Sequence, residues 1–153
     1  MRRRITAVAA LLCANSAAAR ELVMVANITD SPTDFGSILL DAGSVQSDGE
    51  HRLFWSYIFA RNGDDFTRGV NYTEVDCGKQ TIRYVTRQMF DAEHHKIGVM
   101  DKPTSWSHAP KQSAELRMVH LVCGTEKPTE AESLGDMDPL ALSDPLLTDP
   151  KLR

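Results

Sequence analysis

The chain has 153 residues and a net charge of −4, from 17 Lys and Arg against 21 Asp and Glu. This length has room for one domain. The acidic balance argues against a nucleic-acid partner, because such proteins present a basic face.

The N-terminus has the pattern of an export signal. Residues 2–4 are arginines, residues 5–13 are mostly apolar, and residues 17–19 are the small alanines that signal peptidase requires. We therefore predict a signal peptide over residues 1–19, cleaved before Arg20. The apolar run is too short for a permanent membrane helix, so we expect no membrane span in the mature chain. An ordinary first helix is the alternative interpretation.

Export has two consequences for the mature chain. Loss of three arginines leaves 14 Lys and Arg against 21 Asp and Glu, a net charge of −7. The expected location is the periplasm or the outer cell surface. A lipid anchor on Cys13 is not favoured, because Leu12 precedes it where a small residue is needed.

Strand-type runs alternate with turn signals between residues 21 and 100. The clearest run is 51–60, in which Leu53, Trp55, Tyr57 and Phe59 share one face by the two-residue period of a strand. The other face of this run is also largely apolar, which indicates a central strand. A turn is predicted at 27–33 and a hairpin connection at 42–50. The predicted strands are 21–26, 34–41, 51–60, 70–75, 81–89 and 97–100.

A short helix is predicted after Ser113, whose hydroxyl can cap the first turn. Leu116, Val119 and Cys123 fall on one face of it, and Gly124 is a suitable end. About ten residues are too few for a helix to be stable alone in water. The helix therefore has to pack on the sheet.

Cys77 and Cys123 remain after removal of the signal peptide, and an even number of cysteines in an exported chain favours a disulfide bond. The bond would close a loop of about 47 residues and stabilise the fold by roughly 4 kcal/mol. Two free buried thiols are the alternative. A metal site would need more soft ligands than two isolated cysteines provide.

Residues 125–153 are predicted to be a disordered acidic tail. An Asp-Pro pair recurs at 138, 144 and 149, and the segment has no aromatic residue with which to build a core. The alternative is a partner-binding linear motif at Leu140, Leu142, Leu146 and Leu147.

The order of these features resembles the surface-adhesin protein E-like family of small exported bacterial proteins. The resemblance covers residues 20–124 and rests on Asp76-Cys77, Lys79 to Arg83, Trp106, Pro110, Ser113-Ala114-Glu115 and Val122-Cys123. It implies an α+β fold, with an antiparallel sheet of about six strands and a C-terminal helix tied on by the disulfide. It also implies an adhesin-like role. The acidic tail and the missing lipid-attachment cysteine depart from the family pattern.

Candidate chemistry is sparse. Asp91-Ala92-Glu93-His94-His95 has metal-ligand residue types, with Asp101 or His108 as further donors, but adjacent histidines on an extended chain point apart. We therefore predict a polar hairpin loop and no metal or other cofactor. The chain lacks a Gly-x-Ser-x-Gly elbow and a glycine-rich phosphate loop, so we expect no enzymatic activity.

Aromatic side chains offer either a core or a binding platform. The candidates are Trp55, Tyr57, Tyr72, Tyr84 and Trp106, of which Trp106 is expected to cover the sheet. His51 and His120 are interpreted as incidental.

The predicted function is an exported binding module that docks a protein or extracellular-matrix partner on the sheet face opposite the helix. Arg61, Arg68 and Lys79 could supply polar contacts there. The alternatives are a periplasmic accessory protein with no adhesive role and a small-ligand or metal-binding protein.

Overall fold

The computed structural model describes residues 20–31, 34–62 and 65–141. The predicted signal peptide and residues 142–153 lie outside the described residues. Among the residues that are described, no helix is long and apolar enough to cross a membrane.

Nine strands form one antiparallel sheet in the described part of the chain. They are β1 (Leu22–Ser31), β2 (Asp34–Asp41), β3 (Gln46–Asp48), β4 (His51–Asn62), β5 (Asp65–Asp76), β6 (Thr81–Phe90), β7 (Lys96–Met100), β8 (Ser107–His108) and β9 (Ser133–Gly135). The strand order is β7-β6-β5-β4-β2-β1-β9, and β3 pairs with β4 and β8 with β6 beside this path. One helix, α1 (Ala114–Val122), packs on the sheet.

All six predicted strands are present, but the expected sheet of about six strands is too small. β3, β8 and β9 are too short to show a periodic pattern, and their pairing partners are needed to recognise them. The turn predicted at 27–33 is also wrong over most of its length. β1 continues to Ser31 because its backbone pairs with β2 as far as Asp34.

The two faces of the sheet have separate cores. On the helix face, buried residues of five strands pack with two residues of α1; they are Val25, Leu40, Phe54, Val75, Ile82, Met118 and Val119. On the second face, the buried cluster consists of Leu22, Leu39, Tyr57 and Phe59. β4 lies between β2 and β5 and contributes to both clusters. This confirms the prediction of a central strand.

Helix α1 begins as predicted, since the Ser113 hydroxyl accepts a hydrogen bond from the Leu116 amide at 3.1 Å. Its buried face agrees with the prediction at Val119 and Cys123, which lie in or against the helix-face core, but not at Leu116. Met118 and Val119 are buried, whereas Leu116 is only half-buried and borders a shallow surface depression. The helix is therefore rotated about its axis relative to the prediction, so that Met118 rather than Leu116 is buried. Cys123 is its C-terminal cap residue.

The predicted disulfide bond joins Cys77 to Cys123, whose Cα atoms are 5.7 Å apart. Both cysteines are partly buried and pack against the helix-face core. The bond fixes the end of α1 to the turn that follows β5. The expected tie between helix and sheet is therefore confirmed.

Residues 125–141, named here the C-terminal segment, contradict the prediction of a disordered tail. A 3₁₀ turn at Glu130–Glu132 carries a capping box with Thr129, and β9 then pairs with the start of β1. Leu134 and Leu140 pack against the second-face cluster. The prediction relied on the prolines and missing aromatics, but two leucines are enough to cover a cluster that other strands already form.

Candidate functional site

The second face remains open beside the C-terminal segment, where two aromatic rings meet. Trp55 on β4 lies opposite Tyr72 on β5, and their ring centroids are 4.8 Å apart with a tilt of 40°. Trp55 is 38% exposed. Tyr57 lies on the same face two residues further along β4, but it is buried in the cluster that the segment covers. Only part of the predicted platform is therefore accessible.

A charged cluster adjoins the aromatic pair on the same face. Glu74 of β5 is 8% exposed, and its carboxylate accepts hydrogen bonds from Arg83 Nε of β6 and pairs with His51 Nδ1, each at 2.7 Å. Glu74 and Arg83 lie directly opposite each other in the β5–β6 register. Strand pairing therefore holds this acid and base together.

Trp106 extends the cluster from the edge of the sheet. Its ring lies 4.6 Å from Arg83 Cζ and makes an edge contact with the His51 ring at 5.6 Å. Pairing of β8 with the start of β6 brings Trp106 to this position. The indole covers both groups that bind Glu74, so the expectation that Trp106 covers the sheet is confirmed, although the ring stays 37% exposed.

The electrostatics of this cluster favour fixed charges. Burial raises the pKa of Glu74, but hydrogen bonds from Arg83 and His51 outweigh it and leave that pKa below its ordinary value. Glu74 is therefore ionised at neutral pH and orients Arg83. The arrangement presents an oriented guanidinium between a carboxylate and an aromatic face, which suits recognition of a partner's surface.

A groove of about 500 Å³ borders Trp55 on its other side. Arg20 and Asp41 face each other across 4.0 Å there, and the Ser44 hydroxyl accepts a hydrogen bond from the Trp55 amide at 2.9 Å. The lining residues are Arg20, Asp41, Gly43, Ser44, Val45, Gln46 and Trp55. The groove continues the open surface toward the C-terminal segment, since Arg20 also contacts Asp138.

Other predicted contact residues lie elsewhere. The placement of Arg68 as a surface contact is wrong, because it is only 2% exposed and its guanidinium donates to the Ala92 carbonyl at 2.8 Å. Tyr84 shares the helix face with Thr73 rather than the platform, and Arg87 Cζ lies 4.3 Å from its ring. Lys79 is exposed and pairs with Asp76 at 3.1 Å. Arg61, on β4, is partly buried.

The loop between β6 and β7 brings three metal-ligand types together. Ligand atoms of Asp91, Glu93 and His95 lie within 4.8 Å of one another. His94 is not part of this group, which agrees with the expectation that the adjacent histidines point apart, although the loop does bring three other ligand atoms together. Asp91 already accepts a hydrogen bond from the His95 amide at 2.8 Å, and its carboxylate is 3.4 Å from His95 Nδ1. These contacts within the hairpin turn are enough to explain why the three side chains lie close together.

The sequence analysis did not predict that His51 and Glu74 bind each other. The interpretation of His51 as incidental is wrong, since it binds the most buried carboxylate of the cluster. The His120 side chain also has a neighbour, since its Nδ1 lies 3.9 Å from the Glu126 carboxylate. The signal that could have found the pair is the register of the two predicted strands that contain them: His51 lies opposite Asp76, two residues beyond Glu74 on β5.

The sequence profile of the surface-adhesin protein E family matches residues 26–124, about two thirds of the chain. This confirms the resemblance read from the sequence. The matched region includes α1, the disulfide and the platform residues, and it ends before the C-terminal segment. A search of curated proteins found no significant match, and neither did a search of solved structures.

Proposed function

This chain belongs to the surface-adhesin protein E family, and we propose that it is an exported, non-enzymatic binding protein that docks an extracellular-matrix protein on its second sheet face. Residues 1–19 would serve as the export signal and residues 20–124 as the binding domain. The family suggests a surface adhesin-like role, and the exposed aromatic patch supplies a surface suited to it.

The observation that carries the proposal is the patch formed by Trp55, Tyr72, Arg83 and Trp106. Trp, Tyr and Arg are the residues that most often dominate the binding energy of protein interfaces. Trp55 and Trp106 are both more than one third exposed, and neither is isolated: Tyr72 supports the first and Arg83 the second. Supported side chains lose little rotamer freedom on binding, which favours affinity.

Binding to a panel of immobilised extracellular-matrix proteins tests the proposal. Trp55→Ala with Tyr72→Ala should weaken binding to a matched protein at least tenfold, because large aromatic hot spots contribute about 2 kcal/mol or more. Ile97→Ala with Val99→Ala is the matched control, since both residues are exposed on the distant edge strand β7. Equal binding by the Trp55→Ala, Tyr72→Ala variant and by the control would exclude the aromatic patch as the docking surface.

Location separates this proposal from that of a periplasmic accessory protein. Protease added to intact cells should remove a protein displayed on the outer surface. A periplasmic protein is shielded by the outer membrane and should survive until the cells are permeabilised. Survival in intact cells would favour the accessory role over the adhesive one.

A further inference from the structure

The strip of the second face beneath the C-terminal segment has the features of a peptide site. Leu22, Leu39, Tyr57 and Phe59 form its floor, and Leu134 and Leu140 fill it. Burial raises the pKa of the Tyr57 phenol, as expected for a ring beneath a cover. The strip is continuous with the groove beside Trp55, because Arg20 contacts both Asp41 and Asp138.

The segment is bound in the way that extended peptides bind to sheet edges. Its backbone adds a three-residue strand to β1, with Leu22 opposite Gly135 and Val23 opposite Ser133. Its two leucines, six positions apart, provide the apolar contacts. In this mode the backbone hydrogen bonds supply affinity and the side-chain contacts supply specificity.

An Asp-Pro-Leu motif completes the contact. The Asp138 carboxylate accepts a hydrogen bond from the Leu140 amide at 3.1 Å and lies 3.8 Å from Arg20. Pro139 between them is buried. Arg20 also donates to the Met137 carbonyl at 3.4 Å. The motif thus turns the chain so that Leu140 meets the floor of the strip.

Three observations distinguish this contact from an ordinary core. The family match ends at residue 124, before the segment begins. β9 pairs with β1 at only two positions, and the Arg20–Asp138 ion pair is exposed, with the Asp138 side chain 63% accessible, so that the part-buried ion pairs of Arg117 with Glu126 and Glu132 are the firmer polar contacts. The same Asp-Pro-Leu triplet recurs at 144–146. A small, polar-rimmed contact of this kind can exchange with a competing peptide.

We propose that this strip and the adjoining edge of β1 form a peptide-docking site, which the chain's own C-terminal segment occupies. The partner it fits is an extended acidic peptide with two leucines six residues apart and an Asp-Pro before the second. The tethered segment competes at the effective millimolar concentration of a short linker. An outside peptide therefore binds well only when the segment is displaced.

Fluorescence anisotropy with a labelled peptide of residues 130–141 tests the proposal on the full-length chain. Leu134→Asp with Leu140→Asp should detach the segment, and this variant should bind the peptide at least tenfold more tightly than the unmodified chain does. The control peptide carries aspartate in place of both leucines and should bind neither protein. Equal binding of the two peptides to a folded, disulfide-bonded variant would overturn the proposal.

A second measurement covers the case in which that variant does not fold. Millimolar peptide added to the isotope-labelled unmodified chain should shift the backbone resonances of Leu22 and Val23 progressively, and the control peptide should leave them in place. No shift with either peptide would equally overturn the proposal. Neither assay contains a matrix protein, so failure here is distinguishable from failure of the adhesive function.

Discussion

The two faces of the sheet are covered by different means. On the helix face, α1 inserts two fully buried side chains and is held by a covalent bond. On the second face, the C-terminal segment contributes a three-residue strand, two partly buried leucines and an exposed Arg20–Asp138 ion pair. From this comparison we expect that the helix face maintains the fold and that the contact on the second face opens first.

Arg117 links α1 to the C-terminal segment, the two elements that pack on opposite faces of the sheet. From α1 it donates to the Val25 carbonyl at 2.6 Å, to Glu126 at 3.0 Å and to Glu132 at 2.7 Å. The Val25 carbonyl lies at the irregularity between Met24 and Ala26 in the β1–β2 register. The segment is therefore anchored to the helix as well as to the sheet.

The largest expected effect comes from removing the disulfide bond that holds α1 on the sheet. Cys77→Ser with Cys123→Ser should lower the free energy of unfolding by roughly 4 kcal/mol, because the unfolded chain gains the entropy of an open loop. Urea unfolding followed by circular dichroism measures this. A loss below about 1 kcal/mol would show that packing alone holds α1 on the sheet.

Two side-chain truncations compare the packing of α1 with that of the C-terminal segment. Met118→Ala should cost about 2–4 kcal/mol, because it leaves a cavity in a closed core. Leu134→Ala should cost about 1 kcal/mol, since that side chain is only partly buried and its neighbours can close over the gap. Thermal unfolding of both variants provides the test. Equal losses would mean that the segment belongs to the core.

Arg117→Ala should release the segment without releasing the helix. Glu126 and Glu132 then lose their shared partner, while the Cys77–Cys123 bond stays intact. Amide exchange in β9 should accelerate at least tenfold, and exchange in α1 should change much less. Arg117→Lys is the matched control and should recover only part of the protection, because an ammonium cannot bridge three acceptors in the same fixed geometry.

The smallest effect is a pH dependence of the segment. Hydrogen bonds from the Thr129 amide and from Arg117 lower the pKa of Glu132 to about 2, from 4.5. Because the folded pKa is the lower one, the stabilisation is complete above about pH 4.5 and is lost as the pH falls toward 2. Exchange in β9 should quicken over that interval, after correction for intrinsic rates. Glu132→Gln should remove the dependence.

Local patterns in the sequence were sufficient for most of the domain. Alternation identified the six longer strands, Ser113 identified the start of α1, and the two cysteines outside the predicted signal peptide identified the disulfide. Each of these depends on residues close in sequence, or on only two candidates for a bond.

The rest of the fold depends on contacts between distant residues. β9 is three residues long, and its strand character comes only from pairing with β1. The binding of His51 to Glu74 requires the register of two paired strands. Burial of Arg68 follows from carbonyl groups in a turn 24 residues away, which no local pattern reveals. The candidate site was therefore predictable in residue type, but not in geometry.

Amide hydrogen exchange on the intact protein compares the stability of α1 on the helix face with that of β9 on the second face. We expect protection in both α1 and β9, with β9 opening at the lower free energy. Introducing Leu134→Asp with Leu140→Asp should abolish protection in β9 and leave that of Met118 and Val119 in place. Exchange of β9 at the rates of an unstructured chain in the unmodified protein would contradict this expectation. Loss of protection in α1 of the variant would contradict it equally.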